Sequence, residues 1–270
     1  MTGHGFGAVA GMGDAMFENG RMIAVAGTSL YVAEAGRPDG VPVVLLHGGL
    51  GCRDDFAPLA AHLAGEYRLI AIDSRGHGRS ALGPGALSYR RLEQDIAAVL
   101  TELGISGAGI IGHSDGGIVA LRLAGSGSYQ PGFVVAIGAH WHLPPDDPVR
   151  QIYQEITAGE WREMFAAQVE RYQVENPAPD FDRLFDAVRA MWLGTGDDAY
   201  PGDLVRAITC PLLVVHGDDD FLVSRRQAFD LAEQVPGARL LNLPFASHTV
   251  AEDQPEDLLP ALRQFIAGAA

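Results

Sequence analysis

Cysteine is scarce in this chain: Cys52 and Cys210 are the only two in 270 residues. Two thiols cannot build a disulfide framework, and neither points to an oxidising compartment. Cys210 precedes Pro211 and an apolar run, which suits a packed core thiol, and Cys52 is expected to be small and partly buried in its loop. Basic residues are also few, 19 Lys and Arg against 34 Asp and Glu, for a net charge of −15. No basic run is available to neutralise phosphates, which excludes a nucleic-acid partner. The acidic surplus reads as solubility. No stretch reaches the ~20 apolar residues that a membrane span requires. The small-residue, glycine-rich start lacks the basic and apolar regions of a signal peptide. A cytoplasmic protein with a flexible segment over residues 1–20 is expected.

What is present is an ordinary globular balance, 47% hydrophobic and 20% charged. Residues 22–26 and 29–35, split by Gly27, predict a hairpin. Residues 43–46 form a continuous apolar run that stops at His47-Gly48-Gly49, as a strand covered on both faces does. Strand and helix patterns then alternate: a helix over 56–63, a strand over 67–72, a helix over 92–103, a strand over 108–111, a helix over 118–124 and a strand over 133–137. This alternation predicts βαβ units and a mostly parallel sheet with helices on both faces. The rhythm breaks over residues 140–203, where segments 149–157, 161–174 and 181–193 read as helices punctuated by prolines. A helical cap or lid is expected there, set into a core made of residues 21–139 and 204–270. A strand over 212–215, a helix over 227–234, a strand over 239–243 and a helix over 256–266 complete the core.

The sharpest local signal is Gly112-His113-Ser114-Asp115-Gly116-Gly117. It contains G-x-S-x-G between a strand and a helix, the setting of a nucleophile elbow. Glycines leave room for close backbone approach. The following helix N-terminus directs N–H groups and positive partial charge at the serine. A serine hydroxyl needs a base to take its proton. His248, in the loop between the last strand and the last helix, is the candidate base, because open α/β sheets bind ligands at the carboxyl ends of their strands. The orienting acid should leave the preceding strand, where Asp218, Asp219 and Asp220 compete. Adjacent carboxylates repel, so they should not all point one way. Asp220, next to Phe221-Leu222-Val223, has a small advantage on position. An oxyanion would be met by the N–H groups of Asp115 and of Gly49 in the loop His47-Gly48-Gly49-Leu50-Gly51. That loop lacks the lysine of a P-loop.

These motifs resemble the α/β-hydrolase family over about residues 21–268: His47-Gly48-Gly49 after the third strand, Asp73-Ser74-Arg75-Gly76-His77-Gly78-Arg79-Ser80 after the fourth, the Ser114 motif after the fifth, Gly217-Asp218-Asp219-Asp220 after the seventh and His248 after the eighth. In the family the acid stands three residues after the glycine, which the resemblance places at Asp220. The resemblance further implies that residues 73–80 are scaffold, that His47, His77 and His113 are structural, and that the helical insertion is the cap. Ser114 stands where haloalkane dehalogenases and epoxide hydrolases carry aspartate, and Leu50 departs from the loop of proline iminopeptidase-like members. Asp115 is similar to a subset of small esterase-like members, and its carboxylate is expected to bind neighbouring loops rather than a leaving group.

The expected activity is hydrolysis of a small carboxylic ester, thioester or lactone through an acyl-enzyme on Ser114. The alternatives are carbon–carbon hydrolysis of a diketone-like substrate and a ligand receptor of the same fold with little turnover. Trp141, His142, Trp161, Phe165 and Trp192 are the candidate substrate walls. No metal and no cofactor is expected. The expected partner is a small-molecule substrate, not a nucleic acid or membrane, and a homodimer is left open.

Overall fold

The computed structural model describes residues 16–269, and residues 1–15, within the segment expected to be flexible, lie outside it. The strands are β1 (Gly20–Val25), β2 (Thr28–Gly36), β3 (Val41–Leu46), β4 (Tyr67–Ile72), β5 (Gly109–His113), β6 (Val134–Ile137), β7 (Leu212–Gly217) and β8 (Arg239–Leu243). They form one 8-stranded sheet in the order β1-β2-β4-β3-β5-β6-β7-β8. The β1–β2 hairpin is antiparallel and turns at Gly27, whose φ of 77° suits glycine. β2 pairs antiparallel with β4, and every later pairing is parallel.

The strand sequences explain why the sheet is covered on both sides. Val44, Leu46, Ile70, Ile72, Val134 and Ala136 join one apolar core, while Val43, Leu45, Leu69, Ala71, Val135 and Ile137 join the other. Period-2 alternation in an all-apolar run therefore fills two layers at once. Helices α1 (Ala57–Leu63) and α10 (Pro255–Ala269) cover one face, and α2 (Tyr89–Glu102), α3 (Asp115–Ser126) and α8 (Arg225–Gln234) the other. The short α9 (Val250–Asp253), not expected from the sequence, follows the His248 loop.

Between β6 and β7 run α4 (Val149–Glu155), α5 (Ala158–Met164), α6 (Ala166–Glu175) and α7 (Phe181–Trp192). The single helix expected over 161–174 is instead α5 and α6, broken at Phe165, whose φ of −126° and ψ of 45° are not helical. Thr157 and Glu160 cap α5 reciprocally, which starts a new helix three residues before Trp161.

The flexible-segment expectation fails for its last residues. Phe17 is fully buried with Tyr31 and Phe56, and its carbonyl accepts Arg53 Nε at 3.1 Å. The chain contains no lysine, so arginine makes the interior ion pairs. Arg75 grips Asp95 through Nε and Nη2 at 2.7 and 2.6 Å, and Arg122 holds Glu93 at 2.8 Å. The rigid guanidinium fork suits such buried sites. Among the described residues no helix is long and apolar enough to cross a membrane.

Candidate active site

Ser114 sits between the end of β5 and the start of α3 with φ 49° and ψ −116°, a positive φ that few non-glycine residues adopt. The turn is held by the Ser114 N–H donating to Ile137 O at 2.8 Å. It is also too crowded for side chains. A Cβ on Gly112 would lie 2.3 Å from Gly116 O, and one on Gly116 would lie 2.0 Å from Leu46 O. The G-x-S-x-G pattern is thus a packing requirement that brings the strand end, the helix start and the β3 loop together.

His248 Nδ1 lies 2.9 Å from Asp220 Oδ2. Its ring packs 5.0 Å from that of His113, and its carbonyl accepts His113 Nε2–H at 3.0 Å. On the other side, a Cβ on Gly138 would come within 3.1 Å of His248 Nδ1. The imidazole is therefore held between the residue before Ser114 and the residue after Ile137. Among the three aspartates, Asp220 is the one whose carboxylate meets His248. Its other oxygen accepts the N–H groups of Leu222 and Val223 at 2.8 and 2.9 Å. Burial pushes its carboxyl upward, but His248 and those two N–H groups hold it below the usual carboxylate range. Asp218 instead faces Asn242 and Arg225, and the backbone of Asp219 bonds Ala246. With Nδ1–H donating to Asp220, the Nε2 lone pair of His248 is free to accept a proton.

The β3 loop lies directly against Ser114: a Cβ on Gly48 would be 3.3 Å from Ser114 Cβ. Asp115 begins α3, where backbone N–H groups have no intrahelical partner. His47 donates Nδ1–H to Gly48 O at 2.7 Å and accepts the Ser74 N–H on Nε2 at 2.9 Å, which fixes its tautomer. Burial lowers His47 to about 4 and His77 and His113 to about 3, so all three are neutral at pH 7. Asp73 accepts from Arg53 N, Arg53 Nη1 and Arg79 N, each at 2.8 Å, and ties the neighbouring loops together.

The Asp115 side chain is buried and accepts Tyr89 Oη–H at 2.7 Å and Trp192 Nε1–H at 3.0 Å. Its carboxylate thus binds the start of α2 and the end of α7, where neighbouring loops were expected. Of the five wall candidates, Trp192 reaches this point beside Ser114. Trp161 packs 6.0 Å from Trp192 and 4.6 Å from Phe165, which is 43% exposed. Trp141 and His142 pack on each other at 4.0 Å, apart from that stack. The indole N–H groups of Trp141 and Trp161 are buried with no partner among the described residues. Tyr89, Tyr153 and Tyr200, which motif reading passes over, complete the surroundings. Tyr153 stacks on Trp192 at 4.8 Å, and Tyr200 packs 5.0 Å from Tyr89. No signal in the chain points to this, because no spacing rule connects residues 89, 153 and 200.

A cavity of about 10 Å³, room for one water, lies behind the β3 loop between Gly48, Gly49, His77 and Asp115. Ser114 is not among the residues that line it. Cys52 is buried, and burial together with Asp55, Asp73 and Asp54 raises its thiol well above the ordinary value, as for an unreactive thiol.

A serine on a strained strand–helix turn, with a histidine–aspartate pair at the carboxyl edge of a mostly parallel sheet, defines the α/β-hydrolase class. The sequence profile of the alpha/beta hydrolase family matches residues 43–261, and the chain belongs to that family. Esterase YbfF of Escherichia coli is 29% identical over 244 residues, which span 83% of this chain and 92% of that protein. Among solved structures, a thermophilic esterase from Thermogutta terrifontis superposes with a TM-score of 0.73 at 23% identity, covering 93% of this chain and 99% of that one. The meta-cleavage product hydrolase CumD from Pseudomonas fluorescens gives 0.73 at 22% identity over 93% and 98%.

Proposed function

We propose that the protein hydrolyses a small carboxylic ester, thioester or lactone through an acyl-enzyme on Ser114. His248 Nε2 takes the Ser114 proton as Oγ attacks the carbonyl carbon, and Asp220 stabilises the imidazolium that forms. The N–H groups of Gly49 and Asp115 receive the oxyanion. The imidazolium then protonates the departing alcohol or thiol. Water, deprotonated by the same imidazole, releases the acid in the second half. The helices between β6 and β7 act as a cap, and Trp192, Trp161 and Phe165 give its inner wall an apolar, aromatic character.

The observation that carries this reading is the oriented His248–Asp220 pair seated against the Ser114 turn. A fluorophosphonate probe followed by peptide mass spectrometry should find the label on Ser114. Ser114→Ala should lower kcat on aryl esters by at least ~10³-fold. Full ester hydrolysis by Ser114→Ala would reject the acyl-enzyme. Turnover of a vinylogous diketone far above that of any ester would move the assignment to carbon–carbon hydrolysis.

A further inference from the structure

Asp115 poses a chemical question that the acyl-enzyme mechanism leaves unused. It is a buried carboxylate next to the proposed nucleophile, and none of the ion pairs among the described residues includes it. A buried carboxylate without a cation is costly unless hydrogen bonds compensate it. Its donors come from two separate parts of the fold: Tyr89 at the start of α2 and Trp192 at the end of α7. Behind the indole, Tyr153 stacks at 4.8 Å, and Tyr200 Oη donates to the Trp192 carbonyl at 2.8 Å. Gly49 fits against this pair only because it lacks a side chain. A Cβ there would meet Asp115 Oδ2 at 2.5 Å and Trp192 Cζ2 at 2.8 Å. The nucleophile turn, the β3 loop and the helices above therefore meet at one carboxylate.

We propose that Asp115 is a positioning residue whose carboxylate, by accepting the Trp192 indole N–H and the Tyr89 hydroxyl, fixes the α7 wall against the Gly49 loop and so sets which acyl groups fit over Ser114. The role in acyl selection rests on the ester-hydrolase reading; the tether itself does not. Burial pushes Asp115 up to about 6, while Tyr89, Trp192 and the nearby His248 pull it back. Protonation turns one acceptor oxygen into a donor and loosens the grip on the indole. The three phenols and the two buried imidazoles around it hold still near that pH. Burial raises the phenols of Tyr89, Tyr153 and Tyr200, so they stay protonated. His47 and His77, across the small cavity, stay neutral.

The test reads the tether without turnover. The emission of Trp192, taken as wild type minus Trp192→Phe, is followed from about pH 5 to about pH 8. It should shift with a midpoint near 6 and be flat in Asp115→Asn. With an aryl hexanoate, Asp115→Asn and Trp192→Phe should each raise KM about tenfold while kcat stays within about threefold. The double variant should also stand near tenfold, because both changes act on the same carboxylate–indole contact. Tyr89→Phe, which deletes a single hydroxyl, should give a smaller rise in KM and guards against misfolding of the other two. A pH-independent Trp192 emission, or effects that multiply to about a hundredfold, would overturn the tether. If no ester is turned over at all, the emission still decides the tether, and the labelling of Ser114 separately decides the hydrolase reading.

Discussion

The sheet and the helices inserted between β6 and β7 are held together by different physics. Every residue of β6 and β7 is buried, and so is nearly all of α3. In contrast, α5 buries nothing, and α6 buries only Val169 and Tyr172. The outer helices α5 and α6 are fastened at points instead, while α7 buries Phe181, Leu184, Phe185, Val188, Met191 and Trp192 in the same apolar core as the sheet. The Asn176 amide donates to the carbonyls of Gly76, Gly78 and Ser80 at 3.3, 2.9 and 3.0 Å. Glu175 meets Arg53 at 2.9 Å, and Trp192 meets Asp115. The difference teaches where precision is kept. The Ser114 turn and the His248–Asp220 pair are set in close packing, whereas α5 and α6 depend on a few polar bonds. Close-packed interiors tolerate little displacement, while single hydrogen bonds contribute only about 1–3 kcal/mol each.

The largest expected effect tests the packed side of this comparison. Asp220→Asn keeps the shape but removes the charge that orients His248, and should lower kcat by about 10³–10⁴-fold. Asp219→Asn, one residue earlier and exposed, should leave kcat within about threefold. Equal losses from both would mean that the loop, and not one carboxylate, carries the function. Next in size is Gly49→Ala. Its methyl must displace Asp115 Oδ2 or Trp192, so steady-state kinetics should show a loss of about 10²–10³-fold as the oxyanion loop moves. Full activity in that variant would show that the loop has slack the packing does not suggest.

The same contrast decided what could be read from the chain alone. Packed, periodic elements were legible: the strands at 67–72 and 239–243 were expected with the bounds they have. The Ser114 motif was legible because Gly112 and Gly116 are demanded by backbone contacts that leave a trace in sequence. Asp220 could be chosen only with the spacing that the family resemblance supplied, since three adjacent aspartates look alike until the N–H groups of Leu222 and Val223 close on one of them. The α5–α6 break was not legible, because the apolar pattern runs on through Phe165. Nor was the Asp115 cluster, whose members meet only through tertiary folding. Phe17 was misjudged because the small residues around it set the character of the segment, while one aromatic ring was enough to bury its end.

On the tethered side, Asn176→Ala should destabilise the fold by about 2 kcal/mol in chemical denaturation, since it strips three carbonyls of their shared donor. If α5 and α6 are fastened at points, this variant should also expose residues 158–176 to limited proteolysis before the sheet unfolds. Proteolysis that begins in the core instead would mean that the insert and sheet unfold as one body.

The smallest effect concerns the pH dependence of stability and isolates Asp115 from the buried histidines. A carboxyl at about 6 in the fold and near 3.9 in the unfolded chain binds its proton more tightly when folded. Its contribution to stability is therefore full below the unfolded value and is lost as pH rises through about 6. Between about pH 5 and about pH 7 the loss amounts to roughly 1 kcal/mol. The neutral histidines 47, 77 and 113 act in the opposite direction, because they must gain protons on unfolding in acid. Their share is common to wild type and Asp115→Asn and cancels in the difference. The stability of wild type relative to Asp115→Asn should thus fall by about 1 kcal/mol over that interval and then level off. A difference that stays constant with pH would place the titration on a group other than Asp115.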